Sequence, residues 1–158
     1  MAKKSLITGC AGFLGSHLAR RLLKEGHEVF GLDNFDCGFL ENMSDFIDHP
    51  KFHFKNGDIC DPWCCDNIHT NVDFVWHLAA RGELYWVRDY TDEAIDVNIK
   101  GTLNILKQAK KLGARHFFFS DTSAEYDSFT EDEHYPTTEW MAPNTITPMG
   151  YYAITKMA

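Results

Sequence analysis

The sequence predicts an α/β domain built on a doubly wound parallel sheet, and three observations predict it. Short apolar runs alternate with segments that carry apolar residues at helical spacing. The runs are close to continuously apolar, as in strands covered on both faces. A glycine-punctuated turn joins the first run to the first helical segment, where a strand hands over to a crossover helix.

The elements follow in order. Residues 4–8 are a buried strand ending at Gly9. Residues 13–25 space Phe13, Leu14, Leu18 and Leu22 as one helix face, and Gly26 closes the segment. Residues 28–33 are a second strand. Residues 41–48 read as a short helix stopped by Pro50, residues 52–55 as a third strand, and residues 62–68 as a short helix with Pro62 in its first turn. Phe74, Val75 and Trp76 mark a fourth strand over 73–78. The longest helix spans 92–112, with Gly113 at its carboxyl end. Phe117, Phe118 and Phe119 centre a fifth strand over 116–120. Residues 121–150 are irregular, and too long for an idle connection. Residues 151–158 open another helix.

The 158 residues, 44% hydrophobic and 24% charged, are enough for one domain, 1–158, with a substantial core. A formal net charge of −8 argues against a nucleic-acid partner. It leaves room for an anionic small ligand, because local backbone dipoles bind phosphate inside acidic proteins. The basic start precedes an apolar run too short for a signal peptide, and no stretch has the length of a membrane span. The expectation is a cytoplasmic protein with no membrane partner. Five cysteines, an odd count, read as free thiols. Cys60, Cys64 and Cys65 cluster near His53 and His69 without a paired CxxC spacing, so no metal site is expected.

Gly9, Gly12 and Gly15 give the turn a GxxGxxG spacing between strand and helix. Gly9 permits the tight turn, Gly12 lets backbone approach a pyrophosphate, and Gly15 lets the helix pack on the sheet. The helix start at Phe13 and Leu14 then offers free N–H groups to phosphate. Asp33 ends the second strand, where a carboxylate can accept hydrogen bonds from both adenosine ribose hydroxyls and would repel a 2′-phosphate. That favours NAD over NADP. The same side chain could instead cap the turn through Asn34 and Phe35.

Seven motifs then occur in a fixed order: the turn at 9–15; Asp33-Asn34 with Gly38; Gly57-Asp58-Ile59-Cys60-Asp61; His77-Leu78-Ala79-Ala80; Asp96-Val97-Asn98-Ile99-Lys100-Gly101-Thr102; Ser120-Asp121-Thr122-Ser123 with Tyr126; and Tyr152-Ala153-Ile154-Thr155-Lys156. In these the chain resembles the extended short-chain dehydrogenases/reductases of the NAD-dependent epimerase/dehydratase kind, over residues 4–158. The resemblance implies a Rossmann-type sheet of strand order 3-2-1-4-5. It places Asp58 and Ile59 at the adenine, the backbone of Leu78, Ala79 and Ala80 along the cofactor, and Asn98 in support of the nicotinamide side. Asn34, Ser120, Tyr152 and Lys156 also face the cofactor on this resemblance.

Tyr152 and Lys156 are four apart, so a helix puts them on one face. A phenol near its ordinary pKa of about 10 is a poor base at neutral pH. A nearby ammonium and a positive nicotinamide are expected to lower that pKa, so that Tyr152 exchanges a proton while hydride moves to or from NAD. Lys156 is also expected to hold the nicotinamide ribose. The resemblance makes Thr122 the hydroxyl that orients the reacting oxygen, with Ser123 as the neighbouring alternative.

The family's 4,6-dehydratases carry Asp-Glu after that Thr, where this chain has Ser123 and Ala124; decarboxylase-like members carry Glu at the position of Ala124. A nucleotide-sugar 4-epimerase or reductase chemistry is therefore expected, against two alternatives: an NAD-binding module without turnover, or a remnant that binds nothing. Asp127 stands where Gly is common, and Cys37, Cys64 and Cys65 have no counterpart. Family members continue for roughly as many residues again, into further strands and a substrate domain. This chain is expected to lack them and to leave its fifth strand as an apolar edge. Association follows as an expectation: a homodimer through helix 92–112, pairing of the exposed edge, or completion by another chain.

Overall fold

A computed structural model describes residues 2–82, 91–126, 138, 140 and 150–158. Most of the irregular stretch expected at 121–150, Asp127 included, lies outside the described residues. Two compact units divide the chain: Met1–Ala80 with Lys100–Ser120, and Arg81–Ile99 with Asp121–Ala158.

The first unit holds the whole sheet. Strands β1 (Lys4–Thr8), β2 (Glu28–Asp33), β3 (Phe52–Asn56), β4 (Phe74–His77) and β5 (His116–Phe119) pair in the order β3-β2-β1-β4-β5. Every pairing is parallel, with Leu6 opposite Phe30 on one side and Val75 on the other. The Rossmann-type order matches the sequence expectation.

Helix α1 (Phe13–Lys24) lays Ala19, Leu22 and Leu23 on one sheet face, where Ile7, Val29 and Phe52 complete a buried cluster with Met43 and Phe46. Gly26, at φ +88°, ends α1: its own amide bonds the Leu23 carbonyl and the next amide bonds Leu22. Helix α3 (Thr102–Lys111) lies along β4 and buries Ile105 and Ala109.

Three expected helices differ. Residues 41–48 form a 3-10 turn, Leu40–Met43, followed by further turns. The three-residue step sets both Met43 and Phe46 into the core. Residues 62–68 are successive turns in which the Asp61 carboxylate takes the Trp63 amide, a local bond that competes with helix. The long helix expected over 92–112 is α2 (Thr91–Ile95), a π-helical segment Asp96–Gly101, and α3.

Candidate functional site

In the first unit, Gly9 has φ +72°, and a Cβ there would stand 2.8 Å from the Ala79 amide nitrogen. A Cβ on Gly15 would overlap the Gly9 carbonyl. Helix α1 starts at Gly12 with no side-chain cap and no acidic residue in its first turn. Its opening amides at Phe13, Leu14 and Gly15 therefore suit an anion. Phe13 and Leu14 are both largely exposed.

The Asp33 carboxylate is buried and held by two amides: Ala11 N–H donates to Oδ2 at 2.9 Å, and Phe35 N–H donates to Oδ1 at 2.8 Å. It does cap its turn, and Phe35 sits there at φ 63°. A carboxylate has about four acceptor sites, so two bonds leave capacity for ribose hydroxyls. Close-packed glycines, an uncapped helix start and a fixed carboxylate together fit a dinucleotide.

A network that local sequence reasoning missed lies beneath this turn. The amides of Leu78 and Ala79 donate to Thr8 Oγ1, each at 3.2 Å. With its lone pairs so engaged, the Thr8 hydroxyl donates to His77 Nδ1 at 2.7 Å, which leaves the proton on Nε2 to donate to Thr102 Oγ1 at 2.9 Å. Buried His77 thus ties the Leu78–Ala80 backbone to β1 and α3. Asp58 is exposed and accepts the Cys60 amide, with Asn34 Nδ2 at 3.5 Å. Ile59 spends its side chain in the core against Gly101. Ser120 follows β5, and its amide donates to the His77 carbonyl.

Five thiols are present without a disulfide, and Cys64 Sγ lies 3.8 Å from Cys65 Sγ.

The second unit brings together the other expected residues. Helix α4 (Gly150–Met157) carries Tyr152 and buried Lys156. Thr122 sits just before a 3-10 turn, Ser123–Tyr126; its hydroxyl accepts the Ala124 amide at 3.1 Å and lies near enough to the Tyr152 phenol to act on its titration. Ser123, the neighbouring alternative, is exposed, and Thr122 is half-buried.

The expected lowering of the Tyr152 pKa draws on the nicotinamide charge as well as on Lys156, and the chain's own surroundings act the other way. Burial raises it above the usual phenol value; the Thr122 bond opposes the rise and the Asp121 charge adds to it. Burial likewise lowers the Lys156 pKa, with Asp121 opposing. In both groups desolvation is the leading cause, and it disfavours the charged form. Asp121, which faces the pair, was not singled out beforehand, nor was Gly82, where a Cβ would lie 3.2 Å from Tyr152 Oη. Glu125 is buried, and burial, with the neighbouring Asp121 carboxylate, raises its pKa above the ordinary carboxylate value.

Asn98 Oδ1 accepts the Arg81 amide at 2.8 Å, and its Nδ2 donates to the Arg81 carbonyl and to Thr155 Oγ1, each at 2.9 Å.

Sheet order and glycine turn define a Rossmann-type dinucleotide-binding protein, and the Tyr-Lys pair on α4 narrows the class. The chain belongs to the NAD dependent epimerase/dehydratase family, matching it over residues 5–158. It is 36% identical over 152 residues to "UDP-glucuronic acid decarboxylase 1" of Xenopus tropicalis, covering 95% of this chain and 34% of that protein. Among solved structures it resembles the UDP-N-acetylglucosamine 4-epimerase of Methanobrevibacter ruminantium M1 (TM-score 0.85, 26% identity, 99% of this chain and 47% of that one). It also resembles the Bordetella bronchiseptica enzyme WbmH in complex with NAD+ (TM-score 0.82, 31% identity, 100% of this chain and 51% of that one). The chain therefore spans about a third of that curated relative and about half of these solved chains.

Proposed function

We propose that this chain supplies the NAD-binding and acid/base parts of a nucleotide-sugar 4-epimerase or carbonyl reductase. The observation that carries the reading is that Tyr152 and Lys156 stand one turn apart on one helix, with the Thr122 hydroxyl near enough to the phenol to act on its titration.

The α1 amides and Gly12 would hold the pyrophosphate, Asp33 the adenosine ribose, and Lys156 the nicotinamide ribose. Bound NAD supplies a reversible hydride acceptor. Tyr152 Oη takes or returns the proton of the sugar hydroxyl at the reacting carbon, and Thr122 Oγ1 orients that oxygen. Ala124 is buried where decarboxylase-like members carry a glutamate, and buried Glu125 occupies the next position. This substitution favours epimerisation or reduction over the decarboxylation named for the curated relative. The expected setting is cytoplasmic.

Calorimetric titration with NAD should give saturable binding, and incubation with NAD and UDP-hexoses should give an epimer or a change in NADH absorbance. Tyr152→Phe should abolish turnover with NAD affinity nearly intact. Absence of binding at about millimolar NAD rejects the reading. Binding without turnover in the completed protein supports the narrower alternative of an NAD-binding module. Release of CO2 from UDP-glucuronate would put the relative's reaction in its place.

A further inference from the structure

Cys64 and Cys65 are neighbours in the chain, and both thiols are buried. Their sulfurs lie 3.8 Å apart in thiol–thiol contact. Cys10, another buried thiol, faces the Met43 thioether instead, and burial raises its pKa. The bond from Cys65 lowers the Cys64 pKa; burial and the Asp61 charge oppose it, and the Lys55 ammonium adds to it. That ammonium is held beside the pair by the Trp63 carbonyl, at 3.1 Å. The same thiol contact, with burial, raises the Cys65 pKa. The pair thus has one sulfur favoured as a thiolate and one that keeps its proton.

The backbone around them is a run of three-residue turns: the Cys64 amide bonds the Asp61 carbonyl, Asp66 bonds Trp63, and Ile68 bonds Cys65. Such a segment opens locally more easily than a regular helix, which lets a small oxidant reach a buried thiol. The run is also tied to its surroundings. Asn104 Nδ2 on α3 donates to the Ile59 and Cys60 carbonyls at 3.1 and 3.0 Å, and Gln108 Nε2 donates to the Pro62 carbonyl. A change at 64–65 therefore reaches the Asp58–Ile59 loop through a few bonds.

We propose that Cys64 and Cys65 are a modification site for a peroxide, which joins the two sulfurs in a reversible disulfide, and that this bond weakens NAD binding through the 58–62 loop. The affinity consequence rests on the expected place of Asp58 and Ile59 at the adenine. Cys64 thiolate attacks one peroxide oxygen; the O–O bond breaks, hydroxide leaves and a sulfenic acid forms. Cys65 then attacks that sulfur, the S–S bond forms and the S–O bond breaks. In sum the two thiols give up two protons and two electrons, and the peroxide becomes two waters. Adjacent Cα atoms stand about 3.8 Å apart, closer than the roughly 4.4–6.8 Å usual across a disulfide. The bond is therefore strained and readily reduced by a dithiol. Its sulfurs must close to about 2 Å, which the turn accommodates only by shifting.

The test uses the intact protein carrying Cys37→Ser, which removes the exposed thiol. After hydrogen peroxide and alkylation in denaturant, peptide mass mapping should find Cys64 and Cys65 joined within one peptide. Calorimetry should then show NAD bound about five- to a hundredfold more weakly, and dithiothreitol should restore thiols and affinity together. By linkage, saturating NAD should shift the dithiol–disulfide ratio in a redox buffer toward dithiol by the same factor. Cys65→Ala should bind NAD as its parent does and lose the response. The proposal is overturned if mapping finds only higher oxidation acids, or a cross-link to Cys60 in place of the Cys64–Cys65 bond. It is equally overturned if the bond forms only when the thermal unfolding transition is gone, or forms with the Kd for NAD unchanged within about twofold. Should the reduced protein bind no NAD, the NAD reading fails, and reversible bond formation in the folded protein decides the modification site. Should Cys65→Ala not fold, the parent's cycle of peroxide and dithiol decides alone.

Discussion

Burial disfavours the charged form of both Tyr152 and Lys156, and the two titrations act on stability with opposite signs. Folding raises the phenol pKa, so its contribution is complete below about pH 10 and is lost as pH climbs through the folded value. Folding lowers the ammonium pKa, so stability improves as pH rises from the folded value toward about 10.4. In urea midpoints measured from about pH 8 to about pH 11, Tyr152→Phe should flatten the alkaline loss and Lys156→Met the rise that precedes it. An unaltered alkaline limb in Tyr152→Phe would count against the assigned burial. Asp33→Ala leaves the buried Ala11 amide without its acceptor and should cost about 1–3 kcal/mol, seen in the same titration, besides weakening NAD binding. That Tyr152 and Lys156 share one helix was legible in the sequence because it depends only on a four-residue spacing. The titration direction of Tyr152 was not, since it depends on what the fold packs around the phenol. Nor were Asp121, Gly82 and the Thr8–His77–Thr102 path, whose members lie far apart in sequence.

Elements were legible where period and punctuation agreed. Helix α1 runs between its glycine turn and Gly26, and all five strands fall within a residue or two of their apolar runs. The turn residues permit a graded test. Gly15→Ala sets a methyl into the Gly9 carbonyl and should cost about 3 kcal/mol or more. Gly26→Ala meets no atom within 4 Å and bears only the strain of φ +88°, about 1 kcal/mol. Equal losses in chemical denaturation would mean that steric overlap at the glycine turn is not what sets the requirement. The segments misread as helices at 41–48 and 62–68 failed for one reason: three-residue turns bury the same alternate residues that a helix would, and pattern alone does not separate the two. The π segment escaped notice because hydrophobic spacing tolerates one extra residue, while the buried amide of Asn98 that it serves is polar.

For the molecule as a whole, strand order was legible from motif order, and the division into two units was not, because it depends on contacts between segments far apart in the chain. Among the described residues strand β5 is the last of the order on one side, with Phe118 44% and Phe119 37% exposed. Such an edge favours association. Sedimentation velocity should show mass rising with concentration from about 1 to 100 µM, and Phe118→Lys should suppress it. A concentration-independent monomer would remove the expectation of a second copy. The unit boundaries fall at 80–81, 99–100 and 120–121, so the polypeptide passes between the units three times. No single scission yields one unit intact: a stop after Ala80 discards α3 and β5 from the sheet's unit, and a start at Arg81 carries them off with the other. Neither half can be inherited, swapped or lost alone by simple truncation, and a fusion partner that spares both belongs at a terminus.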